Sequence, residues 1–351
     1  MIEKLPLETQ TLYAEMMEQL TAMEAQRSIG HASGCFTTKH IRGATYYYFQ
    51  HSEPGGLLRQ IYVGKRSPEL DRMVARFHSE REASKVDAAQ VQRLCAQLRA
   101  GGALVTDAAS ARVLKVFAES GVFHLDGVLL GTHAFTVFGN LLGVRWEKSA
   151  IRTQDVDIAG EARMRIALPN LQADIPKALE SLEMGFVPVP ALDPNNPSTS
   201  FKVRGQALRV DLLTPETSTG EKAPIFISRF NVAAQPTRFL DYLIENPVKG
   251  AVVNGGGILV NVPQPARFAL NKLILSKERE LTAHDKAQKD ITQAAQLLSI
   301  LSEEREGDLL LAWDEIKQRG SRWGKRVVRG LSVMKSSHQD IYHEVIDLLR
   351  I

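Results

Sequence analysis

Two aspartates separated by one residue, Asp155 and Asp157, have the chemistry and the spacing of a metal site. They begin the segment Asp155–Ile158, in which polar and apolar residues alternate as in a half-buried strand. Because alternate strand residues share a face, both carboxylates point the same way, about 6–7 Å apart along the backbone. Proteins hold Mg²⁺ through one or two carboxylates together with substrate phosphates. The pair therefore predicts a site for Mg²⁺ or Mn²⁺.

A second segment has the pattern of a phosphate-binding turn. The apolar run Val128–Leu130 indicates a buried strand, and Gly131 and Thr132 follow it directly. The next residues predict a helix from about His133 to Leu142. The start of such a helix offers free backbone N–H groups and the positive end of the helix dipole, which together attract phosphate.

In this order, the Gly-Thr turn and the Asp-x-Asp strand resemble the nucleotidyltransferase superfamily that includes DNA polymerase β. That superfamily has a Gly-Gly or Gly-Ser turn, two aspartates on one strand and a third carboxylate on a neighbouring strand. The third carboxylate that the resemblance implies is Asp211, within Leu208–Leu213. Thr132 replaces the commoner Gly or Ser but keeps a hydroxyl.

A closer resemblance is to bacterial nucleotidyltransferase-fold proteins, some of them toxins of the abortive-infection type. Gly131–Phe135, Thr153–Ala159 and Ala269–Leu273 carry it, and it covers most of the chain, more loosely at both ends. Similar enzymes place a lysine on one late helix and a basic-Asp pair on the next. The matching positions are Lys272 and Lys289-Asp290. The alternative for Lys272 is a surface lysine whose stem lies along apolar neighbours.

The resemblance implies a metal-dependent enzyme that moves a nucleoside monophosphate from an NTP to an acceptor hydroxyl. Asp155, Asp157 and Asp211 would hold two divalent ions, and Asp211 would also activate the acceptor. The implied phosphate contacts are Gly131, Thr132 and Lys272. The alternative is a non-catalytic module of the same fold that binds nucleotide, RNA or a protein partner. Three uncompensated carboxylates argue against that alternative.

The length, net charge and cysteine content of the chain limit its domain count, its partners and its compartment. A chain of 351 residues predicts two or three domains, and a net charge of +3 gives no overall field that favours nucleic acid. Cys35 and Cys95 are the only cysteines, which excludes a disulfide framework and suits a reducing compartment. The sequence shows neither a signal peptide nor a long uncharged apolar run. We therefore expect a cytoplasmic protein without membrane contact.

The predicted fold class is α/β (α+β), divided into three parts. Residues 1–100 form an N-terminal helical and small β-sheet module. Residues 101–264 form the nucleotidyltransferase domain, a mixed sheet with helices. Residues 265–351 form a C-terminal helical domain. Within the middle part, Phe201–Arg204 and Leu208–Leu213 predict a hairpin, and Pro236–Asn246 predicts a helix.

Three short strands predicted in the N-terminal module, at 36–41, 45–50 and 58–63, mix aromatic and basic residues. Such a sheet either covers neighbouring helices with its aromatic rings or stacks bases and pairs phosphates. The first interpretation is favoured, because strands are rich in aromatic residues for reasons of packing alone.

The segment Lys317–Lys335 holds seven Lys or Arg residues and no acidic one. Lys325, Arg326 and Trp323, near its centre, are the predicted contacts of an RNA acceptor, tRNA ends in particular. A solvated basic helix face is the simpler alternative. A protein hydroxyl or a small molecule would also serve as acceptor. The sequence specifies neither the NTP nor the oligomeric state.

Overall fold

The computed structural model describes residues 2–26, 34–52, 58–147, 150–151, 153–162, 173–191, 193–217, 222–278 and 284–351. In these ranges the protein has a mixed α/β fold with a helical C-terminal region, as the sequence predicts. Among the described residues, no helix is both long enough and apolar enough to cross a membrane.

The helices in chain order are α1 (Leu7–Ala25), α2 (Pro68–Ala100), α3 (Ala108–Glu119), α4 (Gly131–Leu141), α5 (Ile175–Glu180), α6 (Leu240–Ile244), α7 (Pro265–Glu278), α8 (His284–Glu304), α9 (Glu306–Gln318), α10 (Ser321–Met334) and α11 (Gln339–Leu349). The strands are β1 (Glu3–Lys4), β2 (Cys35–Ile41), β3 (Ala44–Ser52), β4 (Leu58–Lys65), β5 (Val128–Leu129), β6 (Val144–Arg145), β7 (Asp155–Ala159), β8 (Phe186–Pro188), β9 (Ser200–Val203), β10 (Arg209–Pro215), β11 (Ile225–Ile227), β12 (Val232–Thr237), β13 (Val248–Val252) and β14 (Ile258–Val262).

The largest sheet of the described chain has β7 and β10 at its centre, side by side and parallel. In their register Asp211 lies opposite Asp157, and Arg209 lies opposite Asp155. Paired residues on neighbouring strands share a face, and the strands are about 4.8 Å apart. The register therefore brings the third predicted carboxylate next to the first two. The predicted hairpin is confirmed, because β9 pairs antiparallel with β10.

The helix predicted over Pro236–Asn246 is wrong at its start. Strand β12 runs to Thr237 and pairs parallel with β10, with Pro236 opposite Thr214. Only Leu240–Ile244 is helical. Proline fixes φ in a range that a strand also accepts, and tertiary pairing outweighed the local preference. The correction matters for the site, because it places Arg238 at the end of a central strand.

One continuous cluster of buried side chains joins the central sheet to the C-terminal helices. Phe138 on α4 meets Phe268 on α7 edge to face, with ring centroids 5.1 Å apart. This contact fixes α7, which carries Lys272, against α4, which carries Gly131 and Thr132. A second cluster joins α1 and α2 to β13 and β14. The domain boundaries at 100/101 and 264/265 stay predictions.

The N-terminal strands form a separate three-stranded antiparallel sheet in the order β2-β3-β4, which confirms the predicted strands. One face of this sheet packs on α2, where Phe77 is fully buried against Phe36 and Phe49. Helix α2 is a single helix of 33 residues. Its C-terminal half, with Val91 and Leu98, belongs to the cluster that contacts β13 and β14.

The C-terminal end of α4, the helix whose first residues form the phosphate turn, is held in part by one buried amide. Asn140 Oδ1 accepts from Leu104 N at 2.7 Å, and Asn140 Nδ2 donates to Leu104 O at 2.8 Å.

Replacing Asn140 by Ala leaves both backbone groups buried without this partner. We predict that Asn140→Ala lowers the free energy of unfolding by about 2–3 kcal/mol, measured by urea denaturation. The exposed Asn195→Ala is the control, and a loss no larger than the control's would contradict this role.

Candidate active site

The three predicted aspartates Asp155, Asp157 and Asp211 line one cavity of about 400 Å³. Its wall also includes Gly131, Thr132 and Lys272. All six residues predicted for the site from the sequence are thus together in space. The sheet supplies the carboxylates, α4 supplies the turn, and α7 and α8 supply further lining residues.

Asp157 is the aspartate of this cavity whose ionisation the surroundings oppose. Burial raises the pKa of its carboxyl to about 6, and the charges of Asp211 and Asp155 act in the same direction. Lys272 and Lys286 oppose the rise, without cancelling it. Ionising Asp157 is therefore costly, and a cation bound beside it would relieve that cost.

Gly131 lets the Asp157 carboxylate lie directly against the start of α4. Its φ of +62° is in the left-handed region, and a Cβ at this position would collide with Asp157 Oδ2. The strand before the turn is tied to the same residue, since Leu130 N donates to Asp157 O at 2.9 Å. The neighbouring Thr132 is buried, and its Oγ1 accepts from Gln293 Nε2 at 3.4 Å.

Asp211 is held by two side chains that sequence reasoning gave no role. Its Oδ1 accepts from Arg209 Nε at 2.7 Å and from the hydroxyl of Ser200. Arg209 Nη2 in turn donates to Ser200 Oγ at 2.9 Å. The only available signal was the shared face of Arg209 and Asp211 on β10. Ser200 arrives opposite Asp211 through the pairing of β9 with β10, which a single sequence does not specify.

Lys272 is not a surface lysine. Its side chain is only 12% exposed, and its Nζ lies 2.6 Å from Asp290 Oδ1 on α8. The ammonium also lies 5.0 Å from the ring centroid of Phe268. Burial and the charge of Lys272 lower the pKa of the neighbouring Lys289, in that order. The predicted Lys and basic-Asp pair are thus adjacent, and all three residues line the cavity that holds the aspartates.

Three further residues line the same cavity and were missed as site residues: Arg238, Lys286 and Gln293. Arg238 was placed in a predicted helix, whereas it follows β12 and forms an ion pair with Glu216 at 3.6 Å. Lys286 and Gln293 lie on α8, the helix of Lys289 and Asp290, at helical spacing from that pair. That spacing was the one signal that could have found them.

A second cavity, of about 600 Å³, adjoins the first and shares Thr153 and Asp155 with it. His133 lines this cavity and is 3% exposed. Burial lowers the pKa of its imidazole to about 4, so His133 is neutral at physiological pH. His133 thus lies near Asp155 on the second cavity and does not line the cavity that holds all three aspartates.

The donor set of the first cavity fits a divalent cation that shares its ligands with substrate. Among the described residues, no three His, Cys, Asp or Glu side chains are arranged to hold a metal ion by themselves. Asp155 and Asp157 nevertheless present carboxylate oxygens on one face beside a helix start. Mg²⁺ takes one or two carboxylates and completes its shell with water and phosphate oxygens. The residues present match that requirement.

Comparison with known proteins agrees with this geometry. The model of a family described as "Nucleotidyltransferase" matches residues 108–318, more than half of the chain. The chain therefore belongs to this nucleotidyltransferase family, as the sequence motifs predict. No curated protein matches it. The DNA polymerase β-like grouping and the bacterial resemblance stay predictions.

Among solved structures, the chain is similar to an antigenic nucleotidyltransferase-like protein from Paracoccidioides brasiliensis. The two share 14% identity, with a TM-score of 0.34 over 63% of this chain and 94% of the other. This likeness is too distant to indicate a function.

The raised pKa of Asp157 makes a prediction about stability. An ordinary aspartate has a pKa near 4, and in the folded chain the value is about 6. The folded state therefore holds the proton more tightly, and this contribution to stability is present in acid and lost as the pH rises through 6. We predict that Asp157→Asn, which stays neutral, stabilises the metal-free chain at pH 8 by about 3 kcal/mol. The gain should shrink as the pH falls towards 4.

Chemical denaturation at pH 8 and pH 5, without divalent ions, measures this effect. Asp193→Asn, in an exposed loop, is the matched control and should change little at either pH. A destabilised Asp157→Asn variant at pH 8, or a gain independent of pH, would contradict the electrostatic account.

Proposed function

We propose that this protein is a metal-dependent nucleotidyltransferase that moves a nucleoside monophosphate from an NTP to an acceptor hydroxyl. The observation that carries the proposal is the convergence of Asp155, Asp157 and Asp211 with the Gly131 turn in one cavity. The same cavity is lined by Lys272, Lys286 and Lys289, which suits a triphosphate. The family membership supports the same class of reaction.

In this proposal each side chain has a separate task. Asp155 and Asp157 hold Mg²⁺ or Mn²⁺, which when bound stabilises charge on the attacking and leaving oxygens. The acceptor oxygen bonds to the α-phosphorus while the bond to the bridging oxygen breaks, and pyrophosphate leaves. Asp211 takes the hydroxyl proton or orients the hydroxyl, while Arg209 and Ser200 hold Oδ1 and leave Oδ2 for that contact.

The phosphates have two sets of contacts. The Gly131 and Thr132 end of α4 offers backbone N–H groups to the β- and γ-phosphates. Lys272, on α7, contributes a positive point charge, and Asp290 holds its ammonium group in place. Arg238, at the end of β12, adds a further cation to the same cavity. Phosphoryl transfer depends on such positioning and charge neutralisation more than on covalent chemistry.

We further propose RNA as the acceptor, contacted by the basic face of α10. Trp323 packs edge to face on Phe239 at 4.8 Å, and Arg326 lies 5.1 Å from the same ring. Phe239 follows Arg238, so this face adjoins the cavity along the chain. Lys317, Lys325 and Arg329 surround a surface cleft of about 540 Å³. In this arrangement Trp323 anchors the helix, and the exposed lysines and arginines meet phosphates.

The non-catalytic alternative would keep the fold and lose the chemistry. A nucleotide or RNA sensor would need the lysines that line the cavity and the turn at Gly131. It would have no use for a carboxylate whose pKa the site itself raises to about 6. Metal-dependent turnover separates the two functions.

Nucleotidyl transfer is tested by incubating the purified protein with Mg²⁺, each of four α-³²P-labelled NTPs and total RNA or protein extract. We predict label in the RNA fraction that is lost in Asp155→Ala/Asp157→Ala. Asp193→Asn controls for the loss of an unrelated carboxylate. Label in protein or small molecules would contradict the RNA acceptor. No label with any NTP would contradict transfer and favour the binding module.

The α10 contact is tested by the salt dependence of RNA binding. We predict that Lys325→Ala/Arg326→Ala lowers RNA affinity and reduces the slope of log affinity against log salt by about 1.5, because two phosphate contacts are lost. The matched control Lys115→Ala/Lys249→Ala removes two exposed lysines away from α10. Equal slopes in the two double variants would show that α10 does not contact the RNA.

A further inference from the structure

We propose that the N-terminal sheet binds single-stranded RNA on its exposed face. We call this face the tyrosine face and define it by Tyr46, Tyr48 and Tyr62 with Lys39 and Lys65. The inference goes beyond nucleotidyl transfer and does not depend on it, because binding to this surface needs neither NTP nor metal.

The register of the three strands separates two chemically different faces. Tyr46 lies opposite Lys39 on β2 and opposite Lys65 on β4, and Tyr48 lies opposite Tyr62. Opposed residues share a face, so all five side chains are on one side of the sheet. The other side carries Phe36, Tyr47 and Phe49, which pack on α2 around Phe77. The fold therefore packs one set of aromatic residues on α2, and on the other face it leaves Tyr62 exposed beside the half-buried Tyr46 and Tyr48.

The tyrosine rings are close enough to act as one stacking surface. The centroid of Tyr62 lies 5.6 Å from that of Tyr48 and 6.1 Å from that of Tyr46. The Tyr62 side chain is 56% exposed and is not needed to cover any helix. Sheets that present two or three aromatic rings in this way bind single-stranded RNA, because every unpaired base offers a π-face.

Charge on this sheet favours an anionic partner. From residue 34 to residue 67 the sequence has five Lys or Arg residues and a single acidic one, Glu53. The whole chain is nearly balanced, with 43 Lys and Arg against 40 Asp and Glu. Lys39 Nζ lies 4.6 Å from the centroid of Tyr48, so a cation already occupies the ring face that a base would take. A stacked base would displace this ammonium towards the phosphate.

These observations favour RNA over a protein partner. An apolar protein surface would gain little from desolvating Lys39 and Lys65, which flank the rings and are both exposed. An acidic peptide would pair with the lysines but has no need of three adjacent tyrosines. Unpaired bases joined by phosphates use both features at once.

Anisotropy of a fluorescent 12-nucleotide single-stranded RNA tests the proposal, with affinities measured in the native chain and in Lys325→Ala/Arg326→Ala. The second background removes the contribution proposed for α10. In both backgrounds, we expect Tyr48→Ala/Tyr62→Ala to weaken RNA binding by roughly tenfold or more, since each stacked base contributes strongly to affinity. The matched variant Tyr48→Phe/Tyr62→Phe keeps both rings and should bind within about twofold of its parent.

Two further measurements can contradict the proposal. Tyr48→Leu/Tyr62→Leu keeps apolar area without a π-face and should lose affinity as the Ala variant does. Retained binding by the Leu variant would overturn stacking and indicate apolar docking. The same RNA annealed to its complement should bind weakly, because its bases are paired. Equal affinity of the Ala variant and its parent, with unfolding temperatures unchanged, would overturn the proposal. Nucleotidyl transfer would be untouched by that result.

Discussion

The structure depends on one electrostatic constraint, the gathering of three carboxylates on two parallel strands. Asp157 and Asp211 are direct neighbours across β7 and β10, and Asp155 shares their face. Burial and this like charge raise the pKa of Asp157 to about 6. Such a cluster persists only if the surrounding fold determines it. Three features keep the carboxylates in place: the sheet register, the contact of Asp157 with Gly131, and the ion pair between Arg209 and Asp211.

The C-terminal helices supply the opposite charge without quenching it. Lys272 pairs with Asp290 rather than with a sheet aspartate, so its ammonium does not neutralise Asp155 or Asp157 by direct contact. An arrangement in which each lysine paired with a sheet aspartate would be more stable and would leave no space for a metal and a triphosphate. The packing of Phe268 on Phe138 maintains this separation, since it fixes α7 against α4. Core packing and the proposed chemistry thus depend on the same interface.

Local sequence patterns were enough to predict several residues of the site. Asp155 and Asp157 follow from strand alternation, and the Gly131 turn follows from an apolar run that ends at glycine. Asp211 needed the resemblance to a family, because nothing in its own hexapeptide says which strand lies beside it. The family match supports the resemblance, and the parallel register places Asp211 where it was expected.

Long-range pairing explains what the sequence did not reveal. Arg238 was misplaced because Pro236 and its neighbours resemble a helix start, whereas pairing with β10 extends the strand to Thr237. Ser200 reaches Asp211 only through the register of β9. Gln293 meets Thr132 from a helix that lies 161 residues away in sequence. Each of these contacts is set by tertiary structure, which local propensity does not encode.

The most direct test of the account is calorimetric binding of a non-hydrolysable NTP analogue at pH 8, with and without Mg²⁺, to the native chain and to Asp157→Asn. If Asp157 and the phosphates share a metal ion, Mg²⁺ will strengthen nucleotide binding to the native chain by tenfold or more. The same addition will have little effect on Asp157→Asn. Nucleotide binding that ignores Mg²⁺ in the native chain, or that responds equally in both proteins, would contradict the account.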